Sequence, residues 1–382
     1  MIELNNYDNI VSYRKELHKI AELSGSEIKT AIKIKEILKQ YSPDKIIENI
    51  GGNGIAAVFG STNKSKIMIR AELDALPISE VNNFDHKSFD KFVSHKCGHD
   101  GHMAILLGLA DYLSRTSLDI QVILLFQPSE ENGKGATQVI NDDKFSEIKP
   151  DFVLALHNLP GFKKNLILLK EDLFASASVG MIINLKGIST HAAHPEDGIS
   201  PTKAVSNILK EILELNNSKE FDDFSLATPI FTKLGEKAFG TAPHTAEILI
   251  TLRAYRDSDL ELLKGLSTDI VKRNSEEQKL AYEISWDDPF SSTVNDSYVI
   301  SMIKKSCKEN EIDFIELEEP FRWSEDFGVF THQIRGAIFG IGSGEKTPQL
   351  HNPDYDFPDE IIPAAVRVLL STINNLKDSK NK

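Results

Sequence analysis

Four short runs constrain the fold most: Gly54–Phe59, Lys66–Ala71, Gln121–Phe126 and Phe152–Leu156, each rich in β-branched or aliphatic residues. A strand that is apolar along its whole length is buried on both faces, which is the mark of a largely parallel sheet covered by helices. Helical spacing supplies the cover. Apolar positions recur at three- and four-residue steps in Ile10–Leu23 and Ser26–Tyr41, and a further helix is expected over Gly101–Arg115. Ser24 and Glu27 stand at the spacing of a capping box for the second of these. The expected class is α/β, with helices sandwiching a mixed, largely parallel sheet.

From about Ser178 the pattern changes. Strand, helix, two strands, helix and strand follow as Val179–Lys186, Pro201–Leu215, Pro229–Leu234, Thr245–Tyr255, Ser258–Asn274 and Leu280–Trp286. That βαββαβ order is the split ferredoxin-like unit, here inserted as a separate small domain. After Pro289 the α/β character resumes, with helices near Asn295–Asn310 and Asp359–Leu376 and strands at Asp313–Leu317 and Ala337–Gly342. The expected division is 1–177 with 289–382 as one discontinuous domain and 178–288 as the insertion.

Composition narrows the partners. The 57 acidic residues outnumber the 43 basic ones, giving a formal net charge of −14. A phosphate backbone is repelled by such a surface, so no nucleic-acid partner is expected. Two cysteines, Cys97 and Cys307, are too few for a disulfide framework and fit a reducing compartment. Neither a signal sequence nor an apolar run of about 20 residues is visible, so a cytoplasmic protein with no membrane partner is expected. Cys307, among lysines, reads as an ordinary helix residue.

Cys97-Gly-His99-Asp100-Gly-His102 places a thiol, two imidazoles and a carboxylate within six residues. A thiolate and an imidazole two residues apart can face one divalent metal, and the glycines let the backbone turn tightly. Asp74, the pair Glu130 and Glu131, and His157 follow successive strand runs, and His351 lies in the loop before the last helix. Open α/β sheets place their ligand sites at that edge. Adjacent side chains diverge, so Glu130 and Glu131 are expected to do different jobs. One ligates metal, and the other takes a proton from water that the metal has acidified.

Seven ordered segments carry a resemblance: Arg70–Ile78, Cys97–His102, Phe126–Glu131, His157–Pro160, Gly187–Pro195, Ser324–Phe327 and Leu350–Pro353. Together they resemble the dinuclear metallopeptidase-like amidohydrolases, the family of aminoacylases, hippurate hydrolase, auxin-conjugate hydrolases and N-acetyl-diaminopimelate deacetylase. The resemblance runs from about Arg14 to the last helix. It implies metal ligation by Cys97, His99, Glu131, His157 and His351, with Glu130 as general base and Asp74 orienting a ligand. Five protein ligands exceed the four of a closed tetrahedral site, which favours two divalent ions per subunit, Mn, Zn, Ni or Co. It also implies that the insertion is a lid and homodimerisation domain, with His191 reaching a partner's site to hydrogen-bond the oxyanion. Arg253 resembles the arginine that grips the substrate carboxylate.

Two positions stand apart. The family usually carries Asn-Val-Ile-Pro ahead of that arginine, whereas this chain has Gly240-Thr-Ala-Pro243. His18 matches a recurrent family histidine, yet on its helix far from the other segments it reads as packing. The expected activity is amide hydrolysis of N-acyl amino acids. A dipeptidase or carboxypeptidase using the same chemistry is the alternative, and a non-catalytic metal-binding protein is the alternative of another class. Retention of Glu130 argues against the last.

Overall fold

The computed structural model describes residues 6–60, 65–116, 119–221 and 223–377. The extreme ends of the expected first domain, 1–5 and 378–382, lie outside the described residues, as do 61–64, 117–118 and, in the insertion, 222. The chain forms two compact units. One holds the residues up to Phe174, Thr293–Glu319 and those from Asp326 onward; the other holds Ala175–Ser292 and Pro320–Glu325.

The first unit is built on an eight-stranded mixed sheet among the described residues. Its strand order is Lys45–Ile50, Gly54–Phe59, Gln121–Gln127, Lys66–Glu72, Phe152–Pro160, Arg335–Gly344, Ile167–Leu169, Phe314–Glu316. The four central strands, Gln121–Gln127 through Arg335–Gly344, run parallel to one another. Their carboxyl ends therefore open on one edge. Both faces of these strands are buried, as the continuous apolar runs require. Residues of the helices Tyr7–Lys19, His99–Leu113, Ser297–Glu309 and Ile362–Leu376 join the strands in one core.

Three local expectations are corrected. Phe152–Pro160 continues through His157 instead of ending at Leu156. Its pairing with Lys66–Glu72 stops at Ala155, so His157 stands where one neighbour has left, while Arg335–Gly344 still supports it at Gly340. The third helix starts at His99, two residues earlier than its apolar periodicity indicates, behind Gly98 at φ +95°. A Cβ at Gly98 would lie 2.5 Å from the Asn158 side chain, so the left-handed turn and the close approach both require glycine. The capping box does not form. Ser24 Oγ donates to Asp74, and Glu27 instead accepts from the Gly25 and Ser129 N–H groups.

The second unit is a four-stranded antiparallel sheet in the order Ser225–Leu234, Thr245–Ala254, Ala177–Lys186, Ala281–Phe290. Helices Thr202–Glu214 and Asp257–Glu277 cover one face and share a core with Met181, Ile183, Ile248 and Ile250. The alternating burial of Thr245–Ala254 shows why: one side packs on the helices and the other does not. Among the described residues no helix is long and apolar enough to cross a membrane.

Candidate metal centre

The parallel edge of the first unit gathers the expected ligands. Glu130 and Glu131 follow Gln121–Gln127 by way of Ser129 at φ +57°, and His351, at φ +65°, follows Arg335–Gly344. The ligating atoms of Cys97, His99 and His157 lie within 4.8 Å of one another. So do those of Cys97, Glu131 and His351, and those of His99, Glu130 and Glu131. Five side chains from four separate stretches thus converge, with Glu130 beside them. Cys97 Sγ is 3.5 Å from His157 Nε2, and His99 Nε2 is 3.8 Å from both Glu130 Oε2 and Glu131 Oε1. His351 Nε2, the most exposed member, is 3.9 Å from Glu131 Oε1.

Each buried imidazole is oriented from behind. His99 Nδ1–H donates to the Asp74 carbonyl at 2.9 Å, and His157 Nδ1–H donates to the Asn158 carbonyl at 2.9 Å. Both leave Nε2 as the lone-pair nitrogen. His99 Nε2 is buried with no hydrogen-bond partner, an arrangement that is costly unless something electron-poor sits before it. A buried, pre-oriented Nε2 facing a thiol and two carboxylates is a donor set that fits divalent ions. The Asp74 side chain accepts from Ser24 Oγ–H at 2.7 Å and from the Glu131 N–H at 3.0 Å, so it also seats Glu131.

The electrostatics agree. Burial opposes a charge on His99, but Glu72, Glu131 and Asp74 outweigh it and push the imidazole up to about 9. A proton and a metal compete for the same lone pair, so carboxylates that attract one attract the other. His157 is pushed down to about 3 by burial and then by His102, and burial and His99 lower His351. Both are therefore neutral donors.

Behind the ligands lies a polar network that the sequence reading did not assign. His102 Nδ1 meets Glu72 Oε2 at 2.7 Å and its Nε2 meets Asn158 Oδ1 at 2.6 Å, while Asn158 Nδ2 donates to Tyr355 OH at 2.6 Å. Arg70, fully buried, donates to Gln127, Glu72 and Asp326. The packing reading of His18 is corrected. Its Nδ1 bonds Asp100 Oδ2 at 2.8 Å and its Nε2 bonds Glu80 Oε2 at 3.2 Å, and Arg14 Nη1 also reaches Asp100 at 3.2 Å. Burial opposes the charge on His18, but Asp100 and Glu80 push it up to about 9. Asp100, His102 and Asp326 lie inside the recognised segments, so the signal was present. Their partners lie 30 to 256 residues away, and no local spacing pairs them.

His191 and Arg253 belong to the second unit. His191 is exposed on the short strand Thr190–His191, paired with Thr241–Ala242, and its Nδ1 accepts the Ala193 N–H at 3.1 Å. Gly240 accepts the Ala192 N–H at 3.0 Å, and a Cβ there would meet nothing within 4 Å. Room for a side chain is therefore not what distinguishes this stretch. Arg253, half-buried near the end of Thr245–Ala254, donates from Nη1 to Ser324 Oγ at 2.8 Å and to the Arg322 carbonyl at 3.3 Å.

Comparison with known proteins agrees over nearly the whole length. The profile of "Peptidase family M20/M25/M40" matches residues 68–375. Hippurate hydrolase of Campylobacter jejuni is 28% identical, covering 92% of each chain. N-acetyldiaminopimelate deacetylase of Priestia megaterium is 29% identical, covering 88% of this chain and 90% of its own. The crystal structure of Bacillus subtilis YXEP protein, described as a dinuclear metal binding peptidase from the M20 family, superposes with a TM-score of 0.81. It is 23% identical and covers 97% of this chain and 98% of its own, which shows the shared fold. With its candidate metal donors converging at the parallel edge, the chain belongs to peptidase family M20/M25/M40 and is a metal-dependent hydrolase of amide bonds.

Proposed function

We propose that this enzyme hydrolyses N-acyl amino acids, N-acetyl derivatives among them, to a carboxylate and a free amino acid. The observation that carries the reading is the placement of Glu130 beside His99 Nε2, with its neighbour Glu131 beside both His99 and His351. Adjacent carboxylates are thereby given different surroundings, which suits a base next to a ligand. The activities named for the hippurate hydrolase and the deacetylase point to the same bond class.

In this reading Cys97, His99, Glu131, His157 and His351 hold two divalent ions, Mn, Zn, Ni or Co. Such ions, when bound, supply a water that loses its proton near neutral pH and polarise the scissile carbonyl. Glu130 takes that proton on a carboxylate oxygen as the water attacks, then returns it to the leaving nitrogen. Asp74 keeps His99 and Glu131 oriented through its two backbone and side-chain contacts. His191 donates an N–H to the oxyanion, and Arg253 holds the carboxylate of the amino-acid part. Residues 1–177 with 289–382 form the catalytic domain, and 178–288 form the lid and homodimer domain. The antiparallel βαββαβ order, with its first strand in chain order, Ala177–Lys186, inside the sheet, supports a ferredoxin-like reading of that domain. A reducing cytoplasm suits a centre that depends on the Cys97 thiolate.

The test is a hydrolysis screen of metal-stripped protein reloaded with Mn, Zn, Co or Ni. Expected is turnover of N-acetyl and N-benzoyl amino acids that a chelator abolishes and metal restores. Turnover confined to dipeptides with a free amino terminus replaces this reading with a peptidase.

A further inference from the structure

Lys96 precedes Cys97 and is fully buried, an expensive place for an ammonium unless every proton is matched. Here each is. Lys96 Nζ donates to Glu80 Oε2 at 2.9 Å, to Asn82 Oδ1 at 2.9 Å and to the Tyr355 carbonyl at 2.8 Å. Its own backbone carbonyl accepts the His351 N–H at 2.8 Å. The two other segments it touches are stitched to each other as well. The Val81 N–H donates to the Pro353 carbonyl at 3.0 Å, and Asn82 Nδ2 donates to the Asp354 carbonyl at 2.8 Å.

One residue thus ties together the loop of Cys97, the 80–82 stretch and the 351–355 loop. His351 is the donor most in need of such a tie. Its side chain is half exposed, its φ is +65°, and it follows the strand end by several residues. Left-handed backbone at a residue other than glycine persists only where the surroundings hold it. Tyr355, the far anchor of Lys96, also takes the hydrogen bond from Asn158, whose carbonyl orients His157.

We propose that Lys96 is a positioning residue for divalent-metal binding: its ammonium clamps the 351–355 loop so that His351 faces Cys97 and Glu131. The inference rests on His351 being a metal ligand. Its distinguishing consequence is a graded effect: the clamp bears most on the binding step that uses His351, whereas the step built on Cys97, His99 and His157 is reached only indirectly, through the neighbouring Cys97 backbone and the Tyr355–Asn158 hydrogen bond.

The experiment titrates Mn and Zn into the metal-stripped full-length protein and follows stoichiometry and both binding constants, with hydrogen exchange at the His351 amide read in parallel. Four variants are compared: Lys96→Met, Asn82→Ala, His351→Ala and Ile37→Ala. Ile37→Ala is a core control for general loss of stability. His351→Ala is expected to lose one binding step. Lys96→Met is expected to weaken that same step by about 10- to 100-fold, the usual range for groups that support a ligand, and to expose the His351 amide to exchange. Asn82→Ala removes one partner of the ammonium and is expected to weaken the same step by a smaller factor. Ile37→Ala is expected to leave both constants unchanged. Wild-type binding by His351→Ala defeats the ligand assignment itself. Loss in His351→Ala with wild-type constants in Lys96→Met overturns the clamp, as does equal weakening of both steps. If Lys96→Met does not fold, Asn82→Ala decides alone, and unchanged constants there overturn the proposal.

Discussion

The metal-side edge of the first unit and the His191 segment of the second solve opposite problems. At the edge three of the donors are backed: His99 by the Asp74 carbonyl, His157 by Asn158, Glu131 by the Asp74 side chain. The His191 side chain is exposed, and its Nδ1 accepts the Ala193 N–H within its own turn. Donors that must face a cation in place of water are held in advance, because reorganising buried polar groups at the moment of binding is expensive. A group that meets a transient charge on the substrate can remain solvated until it is needed. The contrast predicts that substitutions at the edge and in the His191 segment fail differently.

The largest effect expected is on Glu130→Gln. Gln is nearly isosteric and cannot accept the proton, so turnover falls by about 10²–10⁴-fold while metal content stays at the wild-type level. Steady-state kinetics with metal analysis checks this, and wild-type turnover moves the base elsewhere. His191→Ala comes next. A lost oxyanion donor costs about 10²–10³-fold in kcat, with metal stoichiometry untouched. Mixing it with Glu130→Gln chains under proven subunit exchange tells whether His191 serves its own subunit or a partner; recovered activity requires the partner. If His191→Ala sheds metal, the contrast between the two regions collapses.

Arg253→Ala sharpens the second half of the comparison. Charged hydrogen bonds contribute about 1.5–3 kcal/mol, so kcat/KM for substrates with a free carboxylate falls roughly 10- to 100-fold. Amidated substrates, lacking that carboxylate, are expected to lose little. Equal loss on both substrate classes returns Arg253 to its bonds with Ser324 and Arg322.

The smallest effect concerns the buried network behind the ligands. Breaking the His18 bonds to Asp100 and Glu80 is expected to cost about 1–3 kcal/mol of stability in the metal-free protein. His18 is raised from 6.5 to about 9, so its contribution is full below 6.5 and is lost as pH rises through 9. Glu80, with burial opposing and bonds from His18 and Lys96 prevailing, is lowered from 4.5 to about 2. Its contribution is full above 4.5 and is lost as pH falls through 2. The stability gap between wild type and His18→Gln is therefore widest between pH 4.5 and 6.5, measured by urea unfolding across the range. A gap independent of pH would make His18 a packing residue after all.

How much of this was legible follows from distance along the chain. The run Gly54–Phe59 is a buried strand over those same residues, and Cys97 and His99 stand two apart, so their convergence needs only a turn at Gly98. Strand ends and the residues just beyond them put Asp74, Glu130, Glu131 and His351 on one edge once the central strands are parallel. Hydropathy alone marks His157 as following a strand, whereas tertiary pairing extends the strand through it, because Gly340 supplies a partner on one side. Capping by Ser24 was a reasonable local expectation that lost to a stronger long-range acceptor, the Asp74 carboxylate fifty residues away. What the sequence by itself determined is thus the parallel edge and the residues of ligating type that follow its strands, since both follow from residue type and local periodicity. Only the tertiary structure decided how the donors are held. Arg14 meets Asp359 across 345 positions, Lys96 meets Tyr355 across 259, and Arg70 meets Asp326 across 256. Buried charges take whichever partners folding brings near, and no spacing along the chain encodes that choice.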